Sequence, residues 1–108
     1  MIYSIDYYNQ RVLDEILNWP AGIRSDYARL IELLVDRGPV LGMPHCRLLG
    51  GGLFEIRASG AEGIGRALYC FCPGQRVVVL HTFVKRTEKI PMADMRLARR
   101  RIKEVRNG

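Results

Sequence analysis

Residues 53–86 read LFEIRASGAEGIGRALYCFCPGQRVVVLHTFVKR, and they form the longest strand-like segment of the sequence. Three of its segments, 53–57, 63–71 and 76–86, are rich in the β-branched and aromatic residues that favour strands. The intervening segments, 59–63 and 73–75, hold the glycine, proline and serine residues that tight turns require. The stretch therefore predicts three consecutive strands that pair as an antiparallel β-meander.

The segment before the meander predicts one strand and two helices. Side chains alternate through Ile2–Tyr7, which indicates a short strand. Apolar residues recur at helical spacing from Val12 to Leu17 and again from Ile23 to Val35. Pro20 separates these two helices, and Gly38-Pro39 ends the second. We expect the two helices to form a hairpin that covers the sheet.

The other segments predict a loop, a brief strand and a last helix. Glycine and proline in residues 40–52 indicate a loop that leads into a short strand at Leu48-Leu49. Apolar residues at three- and four-residue steps from Met95 to Val105 predict a C-terminal helix. Basic residues cover the rest of that helix and suggest loose docking or a partner: Arg96, Arg99, Arg100, Arg101, Lys103 and Arg106.

The order of these elements predicts an α+β fold. It consists of an N-terminal strand, a two-helix hairpin, an antiparallel β-meander and a C-terminal helix. A chain of 108 residues is long enough for one modest core, so we expect a single domain over residues 1–108.

The positive charge of the chain is concentrated near its C-terminal end. The formal net charge is +6, yet eight arginines balance eight acidic residues as far as Val84. From Lys85 onward nine Lys and Arg residues face three acidic ones. Such a block attracts polyanions, among which phosphate backbones are the usual partner. A solvated helix face that serves solubility has the same composition, so charge alone leaves both interpretations open.

Cysteine usage and hydropathy set limits on the class of protein. Cys46, Cys70 and Cys72 stand in no zinc-binding spacing, so we expect reduced thiols and no metal or other cofactor. No apolar run approaches the roughly 20 residues that a membrane helix needs, and residues 1–8 have no basic start. The expected location is therefore the cytoplasm, with no membrane contact.

The last predicted strand carries the residues that could do chemistry. Its alternation points His81, Phe83 and Lys85 to one side, while Arg57 and Arg66 lie on the neighbouring strands. If the strands pair in order, they present a basic and partly aromatic face that suits RNA. Each arginine taken singly is better explained as a surface residue on an edge strand.

His81 has two interpretations as well. Its imidazole could exchange protons near neutral pH, or it could be a hydrogen-bonded structural residue in an apolar strand. The sequence shows no Ser/His/Asp arrangement, Walker loop or dinucleotide motif, and no strong general base is obvious.

Three segments carry a resemblance to a known family. They are GGLFEIR at 51–57, GIGRALY at 63–69 and LHTFVKRTEKIP at 80–91, and Ala98 and Arg101 extend the match into the last helix. In their order and spacing they resemble the HigB-like, phage-derived branch of the RelE/ParE toxin superfamily. The resemblance covers nearly the whole chain. Ile90, where threonine is common, and the arginine-rich last helix depart from the pattern.

The resemblance implies a bacterial type II toxin that cuts translated mRNA on the ribosome without a metal. Its partner would be an antitoxin, a helix-turn-helix protein of the HigA kind. Carried over by position, Arg57, Arg66 and Lys85 match the basic catalytic residues, and His81 stands where a histidine is common. Arg47, Arg86 and Lys89 would bind RNA.

Two further functions stay open within the same superfamily. A ParE-type member would poison DNA gyrase and leave RNA intact, and a non-catalytic member would only bind a partner protein.

Overall fold

A computed structural model describes residues 2–85 and 89–107, with Lys85 described by its backbone alone. Five strands and three α-helices follow one another in the described part of the chain. Their order is β1 (Ser4–Tyr7), α1 (Gln10–Leu17), α2 (Ala21–Arg37), a short 3-10 helix (Gly38–Val40), β2 (Cys46–Gly50), β3 (Leu53–Gly60), β4 (Gly63–Cys72), β5 (Arg76–Lys85) and α3 (Met92–Asn107). The predicted α+β fold is confirmed.

All five strands form one sheet in the order β1-β5-β4-β3-β2. The meander β3-β4-β5 is antiparallel throughout, as predicted, and β2 extends it at one edge by pairing with β3. β1 joins the other edge, where it runs parallel to β5. The brief strand expected at Leu48-Leu49 is longer than predicted, because backbone pairing begins at Cys46.

The helices cover the two faces of the sheet unequally. α1 and α2 pack on one face through a cluster that includes Ile16, Trp19 and Ile23, so both predicted helices cover the sheet, α1 over β5 and α2 over β3. Gly65 of β4 permits this contact, since a Cβ there would meet the Trp19 ring at 2.8 Å. α3 packs on the opposite face, which we call the α3 face.

Helix ends follow the local sequence. The Asn9 side chain accepts a hydrogen bond from the backbone of Val12, which caps the start of α1. Gly38 ends α2 with a φ of +57°, a conformation that glycine adopts without steric cost. The Tyr3 ring packs against Gly38 where a side chain would otherwise lie.

α3 is anchored to the sheet by apolar and by basic side chains. Ala98 and Ile102 are buried against it. Arg99 donates hydrogen bonds to the carbonyl oxygens of Leu49 and Gly50, and Arg101 donates one to that of Leu80 at 2.7 Å. These contacts correct the expectation of a loosely docked helix, because arginines that were assigned to its free surface help to hold it in place.

No helix in the described ranges is both long and apolar enough to span a bilayer.

Candidate functional site

The pairing register brings the predicted catalytic residues to one face of the sheet. Residues directly opposite each other on antiparallel strands point to the same side. Arg57 of β3 is paired with Arg66 of β4, and Arg66 is paired with Phe83 of β5. In the adjoining row Leu68 is paired with His81. The backbone of Lys85 is paired with that of Ile64, two positions from Arg66, so Lys85 occupies a register position on this same α3 face.

A β-bulge in β5 turns His81 and Phe83 toward this face. The register between β4 and β5 shifts after Leu68, and Leu80 is the extra residue. Leu80 and His81 therefore both lie on the α3 face, whereas strict alternation from Leu80 would have placed Thr82 there. Thr82 instead donates a hydrogen bond to Glu15 of α1 at 3.0 Å, on the opposite face.

A buried carboxylate lies beside the two arginines. Glu55 of β3 is completely buried, and its Oε2 is 3.5 Å from Nη1 of the equally buried Arg66. Its Oε1 is 3.1 Å from Nη2 of Arg47 on β2. Two guanidinium groups therefore offset the cost of taking this carboxylate out of water. The Arg66 guanidinium is itself inaccessible, so any part it plays in the site is through Glu55 and its neighbours.

Glu55 Oε1 retains hydrogen-bonding capacity. Although Arg47 is close, the angle is poor, and Oε1 accepts no hydrogen bond of standard geometry from the residues in the described ranges. Beside it, a cleft of about 70 Å³ is lined by residues 43–47, Glu55 and Arg57. The cleft opens a path from solvent to the charged cluster at the β2–β3 edge.

His81 is held by a second carboxylate. Its Nε2 lies 2.6 Å from Oδ1 of Asp94 in the first turn of α3. A carboxylate only accepts hydrogen bonds, so Nε2 donates and Nδ1 is the ring nitrogen left to exchange a proton. The ring also lies 5.6 Å from that of Phe83, measured between centroids. This arrangement fixes both the tautomer and the orientation of the imidazole.

The predicted RNA-binding residues are spread around this cluster. Arg47 is on edge strand β2 with 46% of its side chain exposed. Lys89 lies in the connector before α3 and is also exposed. Arg86 falls outside the described residues, so its predicted role has no structural counterpart here.

Sequence reasoning missed Glu55 and Asp94. Glu55 is two residues from Arg57 in a strand, and this spacing alone places both on one face. That signal was available. Asp94 lies on a separate helix after the connector, and no sequence spacing indicates its contact with His81.

The three cysteines are free thiols. Burial, together with neighbouring Cys72, raises the pKa of the Cys70 thiol to about 12, so it stays protonated and unreactive. Within residues 2–85 and 89–107, no three His, Cys, Asp or Glu side chains cluster closely enough to hold a metal ion.

Comparison with known proteins identifies a family. The sequence matches the family described as phage derived protein Gp49-like (DUF891) over residues 14–103, which includes every strand of the meander. A search among curated proteins found no significant match. Because the match covers far more than half of the 108 residues, the chain belongs to the phage-derived Gp49-like family.

Proposed function

We propose that this protein is the toxin of a bacterial type II toxin-antitoxin system and acts as an mRNA endonuclease. The Gp49-like family membership and the resemblance to HigB-like toxins support the toxin assignment. The observation that carries the nuclease assignment is the α3 face itself, where Arg57 and Arg66 are paired across β3 and β4 beside an Asp94-oriented His81. The expected substrate is translated mRNA on the ribosome, in the cytoplasm.

The proposed reaction needs no metal or other cofactor. The ribose 2′-oxygen bonds to the adjacent phosphorus while the bond from phosphorus to the 5′-oxygen breaks. One proton leaves the 2′-hydroxyl, and one proton reaches the departing 5′-oxygen, so the products are a cyclic phosphate and a 5′-hydroxyl. The protein must move these protons and offset the charge that builds up on the phosphate oxygens.

Each residue of the cluster suits one of these tasks. His81 exchanges a proton through Nδ1, because Nε2 is bound to Asp94. Arg57, which is only half-buried, and Lys85 offset the phosphate charge. Buried Arg66 holds Glu55 and so acts as a positioning residue. The exposed residues Arg47 and Lys89 bind the RNA strand, and the same role is proposed for Arg86 from the resemblance.

One observation favours a second candidate function. Arg66 and Glu55 are both completely buried, which also suits a purely structural ion pair. Under this alternative the protein binds a partner without cutting RNA.

Mapping of transcript 5′ ends after induction tests the proposal. Expression of the wild type in bacteria should arrest growth and create new 5′-hydroxyl ends within translated messages. His81→Ala and Arg57→Ala should abolish both effects, whereas Arg11→Ala, a change at an exposed residue of α1, should not.

Growth arrest with intact transcripts would overturn the nuclease assignment. If DNA damage signalling accompanied that arrest, a gyrase poison of the ParE type would be the better explanation.

A further inference from the structure

The basic residues of α3 fall into two groups with different surroundings. Arg99 and Arg101 point inward and donate to backbone carbonyls, and the exposed Arg106 donates to the Gly51 carbonyl near the end of the helix. Arg96, Arg100 and Lys103 are exposed, and none of these three forms an ion pair with a residue that the structure describes. The helix is therefore held by its inward group, and the second group is not needed for docking.

The exposed group forms a continuous charged ridge. Arg96, Arg100 and Lys103 follow one another at four- and three-residue steps, so they share one side of the helix. The acidic residues of α3 are engaged elsewhere, since Asp94 contacts His81 and Glu104 accepts a hydrogen bond from the Tyr8 hydroxyl. The positive charge of the ridge is thus left for an outside partner.

A broad groove accompanies the ridge and is partly apolar. It is shallow and open to solvent, and residues of α3 alone line it: the three ridge residues, Arg99, Ala93, Met95 and Leu97. Met92, at the start of the helix, is 74% exposed. Burial of such solvent-facing apolar side chains against a partner's apolar surface lowers the free energy of binding.

This combination fits a protein partner better than RNA. No residue that lines the groove is aromatic, so unpaired bases would find no ring on which to stack. Phosphates would satisfy the charges and leave the exposed Met92 and the partly exposed Leu97 uncovered. An amphipathic helix with acidic flanks would satisfy both requirements. Its apolar side would cover the apolar side chains, and its carboxylates would pair with the ridge cations.

We propose that the outer face of α3 is the docking surface for an acidic amphipathic helix of the protein antitoxin, an inference that rests on the proposed function. Ala93 and Met95 flank Asp94, the residue that orients His81. A helix docked in the groove therefore lies next to the candidate site.

The test compares two charge reversals of equal size. The ligand is the purified protein encoded by the reading frame adjacent to this gene, and its Kd is measured by calorimetry. R96E/R100E should weaken binding by about ten- to a hundredfold, because attraction becomes repulsion at the ridge. R11E/R37E changes the net charge equally at exposed residues of α1 and α2 and should change the Kd by no more than about twofold.

A second variant tests the apolar half of the surface. Leu97→Asp should weaken binding to a similar extent, while circular dichroism shows that the helix content is unchanged. Wild-type affinity should also fall as salt is added, because the ridge charges are exposed.

The outcomes separate this proposal from the proposed function. If the neighbouring protein binds the wild type and R96E/R100E equally well, the docking surface is elsewhere although the antitoxin assignment stands. If it does not bind the wild type at all, both proposals fail. If R96E/R100E retains the neighbouring protein but loses a single-stranded 2′-O-methyl oligonucleotide, the ridge binds RNA and the docking proposal is overturned.

Discussion

At the scale of single residues, the contact between His81 and Asp94 joins two side chains that are thirteen positions apart in sequence and lie on different elements. We expect Asp94→Asn to lower the kcat of RNA cleavage by about ten- to a hundredfold, because the amide can also donate and no longer fixes the imidazole tautomer. The KM should stay nearly constant, since Asp94 does not contact RNA.

Steady-state cleavage of a labelled RNA measures both constants. Asp36→Asn, the same chemical change at an exposed residue of α2, is the control and should have no effect. A wild-type kcat in Asp94→Asn would show that His81 is only structural.

The Glu55–Arg66 pair provides a prediction about stability. Arg66→Ala leaves a buried carboxylate without its nearest buried partner, so we expect the free energy of unfolding to fall by about 3–5 kcal/mol. Replacing both residues, in Glu55→Leu/Arg66→Met, should recover most of that loss because no charge is left buried. Urea unfolding measures the difference.

The double variant also separates folding from function. If it is stable and still cleaves RNA at the wild-type rate, the pair has no part in the site. Loss of cleavage in a stable protein would support the positioning role proposed for Arg66.

How far this site could be predicted differs from residue to residue. Arg57 and Arg66 were predicted to share a face because strand periodicity and a short turn fix their register. The full burial of Arg66 depends on the elements packed around it, so it could not be predicted from the sequence of β4 alone. Asp94 reaches His81 only through the docking of α3, a tertiary contact that no spacing encodes.

At the scale of elements, α2 is clamped to the end of β3 by one carboxylate. Asp26 Oδ2 accepts a hydrogen bond from the Ser59 backbone at 2.7 Å, and Oδ1 accepts two from the Arg29 guanidinium. Burial opposes ionisation of Asp26, but the Ser59 amide and Arg29 outweigh it and lower its pKa below the ordinary 3.8. The carboxylate therefore stabilises the folded state in its ionised form.

This shift predicts a pH-dependent effect of Asp26→Asn. Because the pKa of Asp26 is lower in the folded state, its carboxylate contributes full stability when the pH is above the pKa of the unfolded state. That contribution is lost as the pH falls through the pKa of the folded state. The variant should be less stable than the wild type by about 1 kcal/mol at neutral pH. The difference should vanish well below pH 3.8. Urea unfolding at both pH values checks this, and an equal deficit at both would contradict it.

The elements themselves were predicted to different degrees. The meander was predictable because its strands are consecutive and joined by short turns, so local sequence determines the pairing. The start of β2 at Cys46 could not be predicted, because the nearby Gly42 and Pro44 are typical of loops. The parallel pairing of β1 with β5 depends on a long crossover, and the bulge at Leu80 depends on packing against both faces.

At the scale of the whole molecule, the C-terminal excess of charge was open to two interpretations, attraction of polyanions or a solvated helix face. The basic residues fall into those proposed for the candidate site, the inward arginines of α3 and the exposed ridge of Arg96, Arg100 and Lys103. Only the first group is expected to neutralise RNA phosphates. The salt dependence of RNA affinity therefore reports which of these surfaces RNA uses.

The expected slope follows from the number of phosphates contacted. If about three to five cations around the site bind phosphates, log K should fall against log salt with a slope of about −2 to −3.5, at about −0.7 per contact. A single-stranded 2′-O-methyl oligonucleotide lacks the attacking hydroxyl, so binding is measured without cleavage. R47A/R57A should make this slope shallower by about 1.4, whereas R96E/R100E should leave it nearly unchanged. If R96E/R100E made the slope shallower and R47A/R57A did not, RNA would bind on α3, because the slope is proportional to the number of phosphates that protein cations contact.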